Sequence, residues 1–143
     1  MHFRLLLATF TFCSGQVFAA DFSGVWTKDL RTKAEIKNKV ECGNALFDLK
    51  QKKDKITGSH SFGTVGCGRL NEGGEGTVHG VVVGDIAVLT VVSGRNGAVA
   101  IGKAKRKGNV LYWQYLNEVK PGEPKGDSPL ILDTTTLRLE QTP

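Results

Sequence analysis

Beyond residue 20, four side chains have the chemistry to hold a soft metal: Cys42, Cys67, His60 and His79. Structural zinc sites draw thiolates and imidazoles from spacings such as Cys-x-x-Cys or His-x₃-His. Neither spacing occurs here. A Cys42–Cys67 disulfide is the expectation, with zinc as its competitor. Closing a loop of about 25 residues stabilises a fold by about 3.5 kcal/mol in the chain-entropy account. No catalytic signature is present: Gly-x-Ser-x-Gly, the P-loop and His-Glu-x-x-His are absent. Gly74-Glu75-Gly76 begins like a dinucleotide loop, but Gly80 comes one residue late and leads into a strand. The reading is therefore non-enzymatic, with no cofactor and no metal. Histidine ordinarily titrates near neutrality, so His60 is expected either to bond a ligand or to sit satisfied in a core. Trp113, Tyr115 and Asn117 alternate along one stretch and fall on one face of a strand, where they would line a ligand cavity.

Eight of the 19 cations form two groups. Lys50, Lys52, Lys53 and Lys55 flank one turn; Lys103, Lys105, Arg106 and Lys107 flank another. Such a pole either meets an anionic surface or is a set of solvated hairpin tips that discourages edge-to-edge pairing. No aromatic stripe interleaves the lysines, so nucleic acid is not an expected partner.

Residues 1–20, MHFRLLLATFTFCSGQVFAA, carry Arg4, a short apolar run and small side chains before a cleavage point. They read as a secretory signal peptide, which implies a periplasmic or secreted protein that permits a disulfide. Phe12 precedes Cys13 where a lipoprotein leader has a small residue. Without Arg4 the chain keeps 18 of its 19 basic and all 14 acidic side chains. Residues 21–143 are read as one domain.

That domain is rich in glycine, 18 in the whole chain, and in short alternating segments. Strands are predicted over 22–29, 45–52, 55–62, 76–83, 86–93, 98–105, 110–117 and 130–140. A helical turn fits within 31–40, and loops fill 63–75 and 118–129. Gly84-Asp85, Asn96-Gly97 and Gly108-Asn109 mark two-residue hairpins, with Lys53-Asp54 as a weaker fourth. Successive hairpins among eight strands make an all-β, eight-stranded antiparallel up-and-down barrel of the avidin and lipocalin type. Cys42 falls in the first connection and Cys67 in the third, at the same barrel end, as a disulfide requires.

Turn lengths set the register. Across Asn96-Gly97, Leu89 is placed opposite Ala104 and Val91 opposite Gly102, all inward, with Lys103 and Lys105 outward. Across Gly108-Asn109, Trp113 meets Ala104 and Tyr115 meets Gly102. Phe47, Leu49, Ile56, His60 and Phe62 form the apolar face of the 45–62 hairpin. The outer face of strands four to seven then carries Val81, Val83, Ile86, Val88, Val92, Ile101, Tyr112 and Leu116. So much exposed apolar surface implies a homo-oligomer built on that face, unless one turn is misassigned and a strand flips.

Phe22-Ser23-Gly24-Val25-Trp26-Thr27-Lys28-Asp29-Leu30 resembles the first strand of the calycin superfamily, with its Gly-x-Trp, and within it the avidin branch. Thr57-Gly58-Ser59-His60 is similar to that branch's third-strand Thr-Gly-Thr-Tyr, and Leu111–Leu116 to its seventh strand. The resemblance implies a barrel with a ligand in its mouth, assembled as dimers or tetramers. It also implies that biotin is not held tightly. Lys28 stands where the family has Asn, Thr32 replaces a Ser, His60 a Tyr and Thr134 an Asp. Lost polar contacts leave a head group unpaired at about 1–3 kcal/mol each.

Two functions follow. One is a binding barrel for a small, largely apolar ligand, with His60, Trp113, Tyr115 and Asn117 as contacts and Lys28 and Thr32 at the rim. The other is a protein-interaction module, such as an inhibitor of an extracellular enzyme, working through its loops or basic pole. A filled barrel favours the second.

Overall fold

The structure is a computed structural model and describes residues 20–141. The leader reading falls outside them except for Ala20. Nine strands and one short helix are formed. They are β1 Gly24–Asp29, α1 Lys33–Lys37, β2 Cys42–Lys52, β3 Lys55–Val65, β4 Leu70–Asn71, β5 Val78–Val83, β6 Ile86–Val92, β7 Val99–Lys107, β8 Val110–Lys120 and β9 Thr135–Leu139. Every pairing is antiparallel. The sheet closes through β1, β2, β3, β5, β6, β7, β8 and β9 and back to β1. The eight-stranded all-β barrel read from the hairpin spacing is thus the fold. The two-residue β4, which the spacing did not show, hangs on the upper part of β3.

Local chemistry explains the turns. Lys53, Gly84 and Gly108 adopt φ of 58°, 64° and 56°, the left-handed values that tight hairpins need. The fifth connection differs from its expected form. It is a four-residue turn, closed by Ser93 N donating to Ala98 O at 2.8 Å and Gly97 N donating to Ser93 O at 2.9 Å. Asn96 Oδ1 accepts from Ala98 N, which draws the wider loop together. Leu89 therefore faces Gly102, and Ala87 faces Ala104. The slip is two residues, one full side-chain period, so every residue keeps its expected face.

The core is the barrel interior. Phe22, Trp26, Phe47, Leu49, Ile56, Leu89, Leu111, Trp113 and Leu137 are all buried there. Gly102 sits under the Trp113 ring, and an added Cβ would overlap it. Trp26 anchors the closed end by donating its Nε1–H to Phe22 O at 2.9 Å. At the other end Cys42 and Cys67 form the expected disulfide, with a Cα–Cα distance of 5.2 Å. No cluster of three metal-ligating side chains occurs among the described residues.

Candidate functional site

The mouth beside the disulfide is where the connections after β1, β3, β6 and β8 gather. The connection after β8, residues 121–134, does not stay outside. Leu130 and Leu132 turn into the barrel and are buried. Wall side chains hold the backbone of this strap. Leu132 N donates to His60 Nε2 at 3.2 Å, and Trp113 Nε1 donates to Leu132 O at 2.8 Å. Asn71 Nδ2 donates to Leu130 O at 3.1 Å, and Ser93 Oγ donates to Pro129 O at 2.7 Å. Arg95 grips Asp127 with both ends of its guanidinium, at 3.0 and 3.2 Å. The site where a mouth ligand was expected is occupied by the chain itself.

The expected contact residues are distributed as follows. His60 and Trp113 are together, both in tilted contact with Phe47, at 4.8 and 5.1 Å between ring centroids. Because His60 Nε2 accepts a hydrogen bond, the neutral ring carries its proton on Nδ1, which has no partner. Burial alone pushes the His60 imidazole from 6.5 down to about 4, so it is neutral at physiological pH. Tyr115 is half-buried, and its backbone N donates to Thr134 Oγ1 at 3.1 Å. Burial pushes its hydroxyl up, with the charges of Glu118 and Asp133 adding to the effect. Lys28 is half-buried opposite Ala45 near the rim.

One residue departs from expectation. Asn117 does not share the inner face. A register shift between Ile101 and Gly102 inserts Leu116 as an extra residue, so Asn117 pairs with Ile101 and stays exposed. Thr32 is exposed and engaged as the N-cap of α1 in a capping box with Glu35. Sequence reasoning missed Asn71, Ser93 and the strap itself. Leu130-Ile131-Leu132 read as the start of the last strand, whereas only Thr135–Leu139 pairs.

The outer wall holds the other feature. A groove of about 600 Å³ runs across β6 to β9, lined by Ile86, Lys103, Lys105, Tyr112, Gln114 and Thr134–Thr136. A second groove, of about 590 Å³, lies under the glycine-rich loop 72–76 and is lined by Asp48, Lys50, Ser59, Glu75 and His79. The residues expected to form an oligomer interface are on the outside. Val81, Val83, Tyr112 and Leu116 are exposed, and Val88, Val92 and Ile101 half-buried.

The class defined by these elements is an eight-stranded antiparallel barrel, consistent with a calycin-like fold, whose mouth is closed by its own strap. Comparison of the chain with models of known families, with curated proteins and with solved structures finds no match.

Proposed function

We propose that the protein is an exported, non-enzymatic interaction module that meets its partner with its exterior rather than with a ligand in the barrel. The observation that carries this reading is the strap. Leu132 fills the mouth against His60 and Trp113, where an apolar ligand would lie, and Leu130 is buried with its carbonyl held by Asn71. The avidin-like strand pattern supports a shared architecture; it supplies no open site for a small molecule. The Cys42–Cys67 bridge fits an oxidising compartment, periplasmic or extracellular.

Native mass spectrometry of the mature protein from its own host tests this. A mass free of small molecules is expected. A reproducible added mass that disappears on Trp113→Ala would overturn the reading in favour of a carrier. A second copy is the other candidate for the outer wall, on the observation that Val81, Val83, Tyr112 and Leu116 are exposed. Sedimentation tests that case: a dimer dissociated by Val88→Lys supports it, and a monomeric wild type excludes it.

A further inference from the structure

Antiparallel partners share a face of the sheet, so the outer wall reads in rows around the barrel. One row runs Val83, Ile86, Lys105, Tyr112 and Thr136. The next, further from the hairpin tips, runs Lys55, Val81, Val88, Lys103 and Gln114. Apolar side chains thus sit at the centre with lysines on the strands to either side. Val83 is 65% exposed, and Val81 and Tyr112 are 45% exposed. Lys107 Nζ stands 6.0 Å from the Tyr112 ring centroid. The groove lies within this patch, between Lys103, Lys105 and Tyr112.

The tips below continue the same character. The β2–β3 hairpin carries Lys52 and Lys53, and the β7–β8 hairpin carries Lys107. Asp21, Asp54, Asp85 and Glu140 are carboxylates at this end; Asp85 is taken by Lys105 Nζ at 2.6 Å, and Asp21 lies beside Arg106. A second copy packed on this patch would gather the lysines of both copies in one interface, and like charges across an interface oppose association. The cations are also spread over two hairpin tips and both sides of the wall. They match a diffuse negative surface rather than a partner read point by point.

We infer that this pole of the barrel docks on an anionic lipid surface. Val81, Val83 and the Tyr112 ring enter the headgroup boundary, Lys103 reaches lipid phosphates, and the groove receives acyl chain. The physical basis is the additive attraction of lysines to anionic headgroups together with burial of a few apolar prongs. A tyrosine at the edge suits the boundary because its ring is apolar and its hydroxyl stays wet. The inference rests on the exterior-binding reading and names its partner.

The test is co-sedimentation of the full mature chain with vesicles of phosphatidylcholine alone and of phosphatidylcholine mixed with phosphatidylglycerol. Binding is expected only to the mixed vesicles, and it weakens as salt is added. Lys103→Glu weakens it by more than about fivefold, the worth of one lysine at such a surface. Val83→Asp abolishes it. Lys37→Glu, on the helix outside this patch, leaves it unchanged. All three sites are exposed, and retention of the Cys42–Cys67 bridge and the strand circular dichroism confirms folding. Absence of binding to the mixed vesicles overturns the inference, as does binding indifferent to Val83→Asp. Stronger binding to soluble polyglutamate than to vesicles would assign an acidic polypeptide instead. In each of those outcomes the exterior-binding reading stands; only a small molecule retained inside the barrel removes it.

Discussion

The backbone N–H of Leu132 donates to Nε2 of His60 at 3.2 Å, joining residues 72 apart in the chain. This bond sets the tautomer of His60 and fixes the strap across the mouth. It also makes a single imidazole responsible for a buried amide that has no water to turn to.

Replacing His60 with Ala removes that acceptor and leaves a cavity beside Phe47. A buried unpaired N–H costs about 1–3 kcal/mol and the cavity adds to it, so a loss of about 3–5 kcal/mol is expected. Urea denaturation monitored by tryptophan fluorescence measures it. A loss below about 1 kcal/mol would mean that the strap does not depend on this contact.

The same residue gives the fold an acid sensitivity. His60 titrates near 4 when folded against 6.5 as the ordinary value. Between those values the unfolded chain binds a proton that the folded chain refuses. Stability is therefore complete above pH 6.5 and declines as pH falls through that window. The full linkage is on the order of 3 kcal/mol. Urea midpoints of the wild type should fall between pH 7 and pH 4, and those of His60→Phe should fall less. Parallel curves for the two proteins would place the sensitivity elsewhere.

The disulfide makes a separate contribution. Cys42 and Cys67 lie 25 residues apart and tie the start of β2 to the turn that follows β3. Cys42→Ser with Cys67→Ser is expected to lower stability by about 3.5 kcal/mol while the barrel still forms. Non-reducing peptide mapping should find one bridge in the wild type and no free thiol at either position.

Much of this barrel was legible because its signals are local. Gly84-Asp85 and Gly108-Asn109 each dictate a tight hairpin, and the second of these turns placed Trp113 opposite Ala104 and Tyr115 opposite Gly102. The Asn96-Gly97 pair misled by two residues, since the same residues also serve a four-residue turn; the period of two kept the faces right. The strap was not legible. An apolar run such as Leu130-Ile131-Leu132 carries the same pattern whether it pairs along a strand or turns into a mouth. What decides is the set of distant partners, His60, Asn71, Ser93 and Trp113, that only the closed barrel assembles. Asn117 was misplaced for a related reason, because a bulge depends on how two strands meet and not on either strand's own alternation.

Gly102 and Trp113 offer the most direct test of the interior. Gly102 lies opposite Tyr115 on the inner face, and a Cβ there would overlap the six-membered ring of Trp113. The ring cannot simply retreat. Its Nε1 is bonded to Leu132 O at 2.8 Å, and Phe47 packs at 5.1 Å on a tilted plane. Gly102→Ala should therefore either break the Trp113–Leu132 bond or push the β8 backbone outward, since Gln114 O lies close as well. Overpacking of this kind costs about 1–3 kcal/mol, and a lost buried hydrogen bond adds about 1 kcal/mol. The two losses have different signatures. Strand displacement alone lowers the urea midpoint and leaves amide exchange at Leu132 as slow as that of the core. Release of the strap lowers the midpoint and also lets Leu132 exchange ahead of global unfolding. The second pattern is expected, because Leu132 is held by two side chains whereas β8 is held by a ladder. An unchanged midpoint would mean that the Trp113 ring has room the packing around Gly102 does not indicate.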